Sequence, residues 1–297
     1  MSSRQLARSF LRGAPCPRPP LIPLAFYHAS RLDAFPVEVL VRDPTRLTQA
    51  LIDQWHLLGV DCVVVRIDAG VLAELAGIPV TWSPTGPTVQ WDAAGGCPWP
   101  PDALQRPPVT ALVEVIRRLR IQLQKQVLVL AVLPGPVGLC RQVCPNPQER
   151  LEETVSLLRN LAEEACRAGA EAVMLEETGE ERDGEQIAAA AEPICNTVRY
   201  YNAFSVLYAS APPTRKVADA LLFHPHVKLN CVPPEIPAGI FVPPASFDSP
   251  EGLADFVLEL ESTRRPVFLT TGDDTLLSHP IETNAALFAS LRQVQWE

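Results

Sequence analysis

The sequence predicts an α/β chain folded as a single (β/α)8 TIM-type barrel, and three observations carry the prediction. Apolar runs of strand length recur along the 297 residues, amphipathic stretches of helix length separate them, and the alternation repeats eight times. Expected strands are 21–26, 60–67, 127–132, 171–176, 203–208, 227–230, 239–242 and 266–270. Expected helices fall at 43–58, 69–76, 107–124, 147–168, 183–199, 213–222, 249–262 and 280–293. Prolines at 44, 147 and 250 follow Asp, Asn and Ser, which places each at a first helical position behind a capping residue. Segment 79–106 is the one extra piece, read as a short hairpin and loop inserted after the second unit. A doubly wound open sheet is the alternative, but no GxGxxG or GxxxxGK[ST] follows any expected strand.

With 47% hydrophobic residues the chain has ample material for one core, so residues 1–297 read as one domain. No apolar run reaches the roughly 20 residues that span a bilayer, and the basic start lacks the apolar segment of a secretory signal. The expectation is a cytoplasmic protein without a membrane partner. A net charge of −9 disfavours nucleic acid. Of the eight cysteines none forms a CxxC pair, and Cys62, Cys166 and Cys195 sit in apolar surroundings, as structural thiols do.

In such a barrel the active site lies at the C-terminal ends of the strands. That rule selects Tyr27, His28, Arg66, Asp68, Glu176, Glu177, Tyr208, Ser210 and Asp273 with its neighbour Asp274. The run GVDCVVVRIDAG poses the central question, since a buried strand ends in Arg66 and Asp68, two residues apart and therefore on one face. Both facing the interior would make an anion site or a salt bridge; both facing out would be solvated charge. Asp68 also suits the N-cap of the next helix. Glu176 and Glu177 read as an acid pair near Asp68 or as a solvated loop. His28 reads as a proton shuttle or a packing residue. His224, His226 and Cys231 suggest a metal superficially, but they precede expected strand 227–230, at the face remote from chemistry, so no metal is expected there.

Four stretches carry a family likeness: SFLRGAPCPRPPLIPLAFYHASR, GVDCVVVRIDAGVLAELAGIPVTWSPTGP, AGAEAVMLEETGE and FLTTGDDTLLSHPIETNAALFASL. In this order they resemble the uroporphyrinogen decarboxylase superfamily over nearly the whole chain. The resemblance implies either cofactor-free decarboxylation of acetate side chains on a tetrapyrrole or related multi-carboxylate, or zinc-dependent methyl transfer between a corrinoid and a thiol. It places the decarboxylase aspartate at Asp68. An Arg-x-x-x-Arg carboxylate clamp falls on YHASR, where Arg31 stands but Tyr27 replaces the first arginine, leaving Arg66 as a substitute. The methyltransferase His-x-Cys and late Cys fall on Tyr208, Ser210 and Asp273, a poor zinc set. The resulting expectation is a decarboxylase-like protein without cofactor. Asp68, Glu176 and Glu177 would be catalytic, and Tyr27, His28, Arg31, Arg66, Tyr208, Ser210 and Asp273 would bind an anionic tetrapyrrole- or corrinoid-class ligand. The alternatives are methyl transfer without the usual zinc, or a non-catalytic binding barrel. Family likeness also implies a possible homodimer.

Overall fold

The computed structural model describes the chain except residues 34, 91–98, 145–146, 178–183, 210–212, 214, 224–235, 263–266 and 295–297. Helix α1 (Ser3–Leu11) opens the chain, followed by short turns Tyr27–Ala29, α2 (Ser30–Asp33) and α3 (Val37–Leu40). Then come α4 (Pro44–Leu58), β1 (Cys62–Arg66), α5 (Ala69–Leu75), β2 (Val80–Ser83), β3 (Gly86–Val89), α6 (Val109–Gln122) and β4 (Leu128–Pro134). The middle holds α7 (Pro136–Val143), α8 (Pro147–Ala168), β5 (Ala172–Glu176), α9 (Gly184–Tyr200), β6 (Phe204–Ala209) and β7 (Ala220–Phe223). The last elements are β8 (Ala238–Phe241), α10 (Ala245–Asp248), α11 (Pro250–Ser262), β9 (Val267–Thr270), α12 (Asp273–Ser278) and α13 (Ile281–Leu291).

Local chemistry explains the boundaries. Asp43 caps α4 by accepting from the N–H groups of Thr45 and Arg46, and Pro44 follows at the first helical position. Gly59, left-handed at φ 61°, ends the same helix. Strands β1 and β4 are buried almost throughout, the unalternating apolar pattern of a sheet covered on both faces.

Seven strands form one curled parallel sheet in the order β1-β4-β5-β6-β7-β8-β9, and β2 and β3 form a separate antiparallel hairpin. Segment 21–24 is not a continuous strand, since Pro23 breaks it. It makes parallel bridges from Leu21 to Leu269 and from Leu24 to Gly272, while the N–H of Asp61 donates to the Leu21 carbonyl beside β1. A strand was expected at 21–26, and isolated bridges stand there.

One expected element is corrected. Residues 213–222 were read as a helix, but Ala220–Phe223 is strand β7, paired with β6 and β8. A short apolar strand, with Ala220, Leu221 and Leu222 all buried, carries no alternation that sets it apart from a helix tail. Expected strand 227–230 lies outside the described residues.

Residues paired across parallel strands share a face. Arg66 pairs with Val132, Val132 with Met174, Glu176 with Tyr208, Tyr208 with Leu222, and Phe241 with Thr270. Arg66, Glu176, Tyr208, Phe241 and Thr270 therefore end one concave face of the sheet. Lower on the strands this face is apolar, and Phe10 of α1 packs edge-on against Phe268 at 5.8 Å between ring centres. At the opposite, N-terminal ends of the strands, Glu171 gathers Arg4, Arg8 and Arg120, so α1 is latched under the sheet by charge as well as packing. Glu171→Ala is expected to free α1 and lower the melting temperature by several degrees, which calorimetry measures.

Candidate functional site

Asp68 is reached from β1 by one further residue, and two roles coincide in it. Its carboxylate accepts from the Gly70 N–H at 2.8 Å, capping α5, and it lines a cleft of about 210 Å³. Arg66, Pro87, Pro134, Gln142 and Glu176 line the same cleft. Tyr27 neighbours Asp68 closely enough that each affects the other's proton affinity. Burial raises the Asp68 pKa, while Arg66, the Gly70 N–H and Tyr27 oppose that shift. Tyr27 itself is pushed well up, first by burial and then by the Asp68 charge.

Arg66 and Glu176, two strands apart on the concave face, form a salt bridge. Their side chains are 13% and 15% exposed, so the pair is largely withdrawn from solvent. Burial works to discharge Arg66, but Glu176 and Asp68 hold it charged. Its Nε is buried without a hydrogen-bond partner, as is Thr270 Oγ1 on the same face. Tyr208 stands beside Glu176, its hydroxyl pushed up to about 12 by burial and by the Glu176 charge, and its ring lies 5.7 Å from that of Phe241.

The remaining residues go elsewhere. Glu177 is 4% exposed and points its carboxylate at the start of α7, where it accepts from the N–H groups of Val137 and Gly138 at 3.0 and 2.7 Å. The acid pair expected from Glu176 and Glu177 is thus split, because successive strand residues face opposite ways. Glu177 meets a helix N-terminus, a favourable place for a carboxylate. Arg31 does not clamp the cleft. Its guanidinium donates to the carbonyls of Leu276, Leu277 and His279, the end of α12. His28 is fully buried between Gln54, at 3.1 Å from Nδ1, and Asn284, at 3.3 Å from Nε2. Burial lowers its pKa, and it does not line the cleft.

Asp273 is also structural. It accepts from the N–H of Phe26 at 2.9 Å and of His28 at 2.8 Å, fixing the turn that carries Tyr27. Burial raises its pKa from 3.8 to about 6 against the pull of Arg66. The folded chain then holds this proton more tightly than the unfolded chain. The associated stability is complete below pH 3.8 and is lost as pH rises through about 6. A decline of about 2–3 kcal/mol across that window is expected, flattened in Asp273→Asn, as urea midpoints at successive pH values would show.

Ser210, His224, His226 and Cys231 lie outside the described residues. Among the described residues, the donors at the expected ligand positions do not fit the zinc of the methyltransferase branch. Tyr208 and Asp273 offer no thiolate or imidazole, and both Asp273 oxygens accept backbone N–H groups. Among the described residues no group of three His, Cys, Asp or Glu is placed to hold a metal. Sequence reasoning missed Pro87, Gly86 and Gln142. Only the insertion after the second unit hinted at the first two.

A model of the Uroporphyrinogen decarboxylase (URO-D) family matches residues 2–173, more than half of the chain. The chain belongs to the URO-D family. Among solved structures it resembles a methyltransferase from Methanosarcina mazei at a TM-score of 0.77 and 14% identity, covering 99% of each chain. It also resembles a B12-independent methionine synthase from Shewanella sp. W3-18-1 at 0.54 and 13% identity, over 84% of this chain and 86% of that one. At such identities the likeness is one of fold. No curated protein matches the sequence. The URO-D match spans β1 with Arg66 and Asp68 and ends within β5, before Glu176. Among the described residues no helix is long and apolar enough to cross a membrane.

Proposed function

We propose that this URO-D chain is a cofactor-independent, decarboxylase-type lyase in which Asp68 stabilises positive charge developing on the substrate. The observation that carries the reading is Asp68 itself, a largely buried carboxylate at the wall of the cleft, with its proton affinity raised beside a self-neutralised Arg66–Glu176 pair. Decarboxylation of a pyrrole acetate begins with protonation of the ring carbon next to nitrogen that adjoins the acetate-bearing carbon, which leaves the acetate-bearing carbon electron-deficient. The bond to the carboxyl carbon then breaks, CO2 leaves, and its electron pair returns to the ring. The exocyclic methylene then takes a proton and becomes a methyl group, and the ring carbon gives up the proton it gained, which restores the pyrrole. A preorganised carboxylate facing the cation lowers the barrier. Arg66, held by Glu176, supplies the donor for the departing carboxylate.

The cleft, about 210 Å³, is smaller than the roughly 300 Å³ at which ligand sites usually begin. It suits one carboxylated ring, and Arg31 and Arg66 are both already engaged. The proposed substrate therefore enters one acetate-bearing ring at a time and carries fewer carboxylates than an octa-anion. Segment 21–24 is proposed as the eighth stave, joining β9 to β1 and completing a (β/α)8 barrel with the β2–β3 hairpin as its insertion. The test is anaerobic incubation with uroporphyrinogen and, in parallel, with a single-pyrrole acetate, following CO2 loss by mass spectrometry. Turnover of either supports decarboxylation at this site, turnover of uroporphyrinogen opposes the smaller substrate, and turnover of neither by folded protein opposes the reading. A second reading, a non-catalytic binding barrel, is favoured by the Arg66–Glu176 pair, since a clamp closed on itself has no need of substrate. Binding of either compound without CO2 loss would select it.

A further inference from the structure

The β2–β3 hairpin lies against α5 and the Tyr27 turn, and two adjacent residues of it make the approach. Gly86 has φ +116°, and a Cβ added there would stand 2.5 Å from Tyr27 Cε2 and 2.9 Å from Cζ, the carbon that bears the hydroxyl. Pro87 rests on Gly70 so closely that a Cβ on Gly70 would stand 2.4 Å from the Pro87 Cβ. Both glycines are required by these contacts. Gly70 donates its N–H to Asp68 at 2.8 Å, and Tyr27 is the phenol beside Asp68 that opposes the rise in its pKa. The far strand of the hairpin is docked independently: Trp82 donates to Glu74 at 3.4 Å, and Arg42 pairs with Glu74 at 2.7 Å and lies 5.3 Å over the Trp82 ring.

We infer that the hairpin is the positioning element of the site, with Gly86 setting the Tyr27 hydroxyl and Pro87 setting the Gly70 N–H against the Asp68 carboxylate. Its importance for catalysis rests on the role proposed above for Asp68, but the positioning itself does not. The physical logic is that a buried carboxylate is tuned by the donors aimed at it. Here the charged and titratable groups acting on Asp68 are Arg66, Glu176 and Tyr27. Arg66 and Glu176 come from the strands, whereas Tyr27 and Gly70 are held from above by the insertion. The hairpin thus sets the protonation of the site without contributing a titratable group to it.

The experiment is a carbon-13 NMR titration of the Asp68 carboxyl, assigned by its loss in Asp68→Asn. Gly86→Ala is expected to displace the Tyr27 ring and raise the Asp68 midpoint by about 0.5–1 pH unit, the size of one lost hydrogen bond. Tyr27→Phe should raise it similarly. Gly77→Ala is the strain control, because Gly77 also has positive φ, +77°, but open space around it. It should leave the midpoint alone. An unmoved midpoint in Gly86→Ala, or an equal shift in Gly77→Ala, overturns the inference. Should Gly86→Ala fail to fold, Pro87→Ala adds no heavy atom and is expected to speed hydrogen exchange at the Gly70 N–H severalfold. Unchanged exchange there would overturn it equally. Neither readout uses turnover, so a chain that decarboxylates nothing leaves this inference standing, and an active chain with an unmoved Asp68 does not save it.

Discussion

Arg66→Met is expected to destabilise the protein by about 3 kcal/mol, because it strands the Glu176 carboxylate in a site 15% exposed. Removing one partner of a withdrawn ion pair costs more than the pair contributed, since the desolvation of the survivor is no longer offset. The double variant Arg66→Met with Glu176→Leu should recover most of the loss, as hydrophobic replacements of such pairs commonly do. Urea denaturation of both variants measures this. If the double variant is no more stable than the single one, the two residues do not act as a pair. The same double variant should abolish retention of carboxylated ligands, which separates the role of the pair in stability from its role in binding.

Asp61→Ala is the second large effect, at about 3–4 kcal/mol. The Asp61 side chain is fully withdrawn from solvent and accepts both guanidinium nitrogens of Arg18 at 2.7 and 2.8 Å, together with the Leu21 N–H at 2.9 Å. Three donors would lose one acceptor at once, two of them from the arginine and one from the backbone of segment 21–24. The substitution should also raise hydrogen exchange selectively at Leu21, Ile22 and Leu24, since Asp61 holds that segment beside β1. Uniform loss of protection across all strands would show that the segment is not the element Asp61 secures.

Most of the βα alternation was legible because its signals are local. Asp43–Pro44 fixed the start of α4, and unbroken apolar runs marked β1 and β4. Strand β7 was missed because four apolar residues between proline-rich segments have no periodicity to read. The site was legible only in part. Arg66 and Asp68 lie two residues apart on a strand, so their common face could be deduced. The partner of Arg66 is Glu176, 110 positions along the chain. Strand alternation could have separated it from Glu177, since Glu176 continues the concave set of Ala172 and Met174 while Glu177 faces the helix layer. Arg31 was misplaced because a motif position carries no information about a competing acceptor, here the carbonyls that end α12. The surroundings of His28 were hidden for a similar reason, as its partners Gln54 and Asn284 come from helices distant in sequence.

The most direct test of the account is decarboxylation of an acetate-bearing pyrrole in deuterated water by the wild type and by Asp68→Asn. The account predicts CO2 release with one deuterium in the new methyl group, and a rate in Asp68→Asn lower by about a hundredfold or more, with the fold intact by circular dichroism. Turnover undiminished in Asp68→Asn would contradict the central claim, because the carboxylate at the wall of the cleft would then have no part in the chemistry.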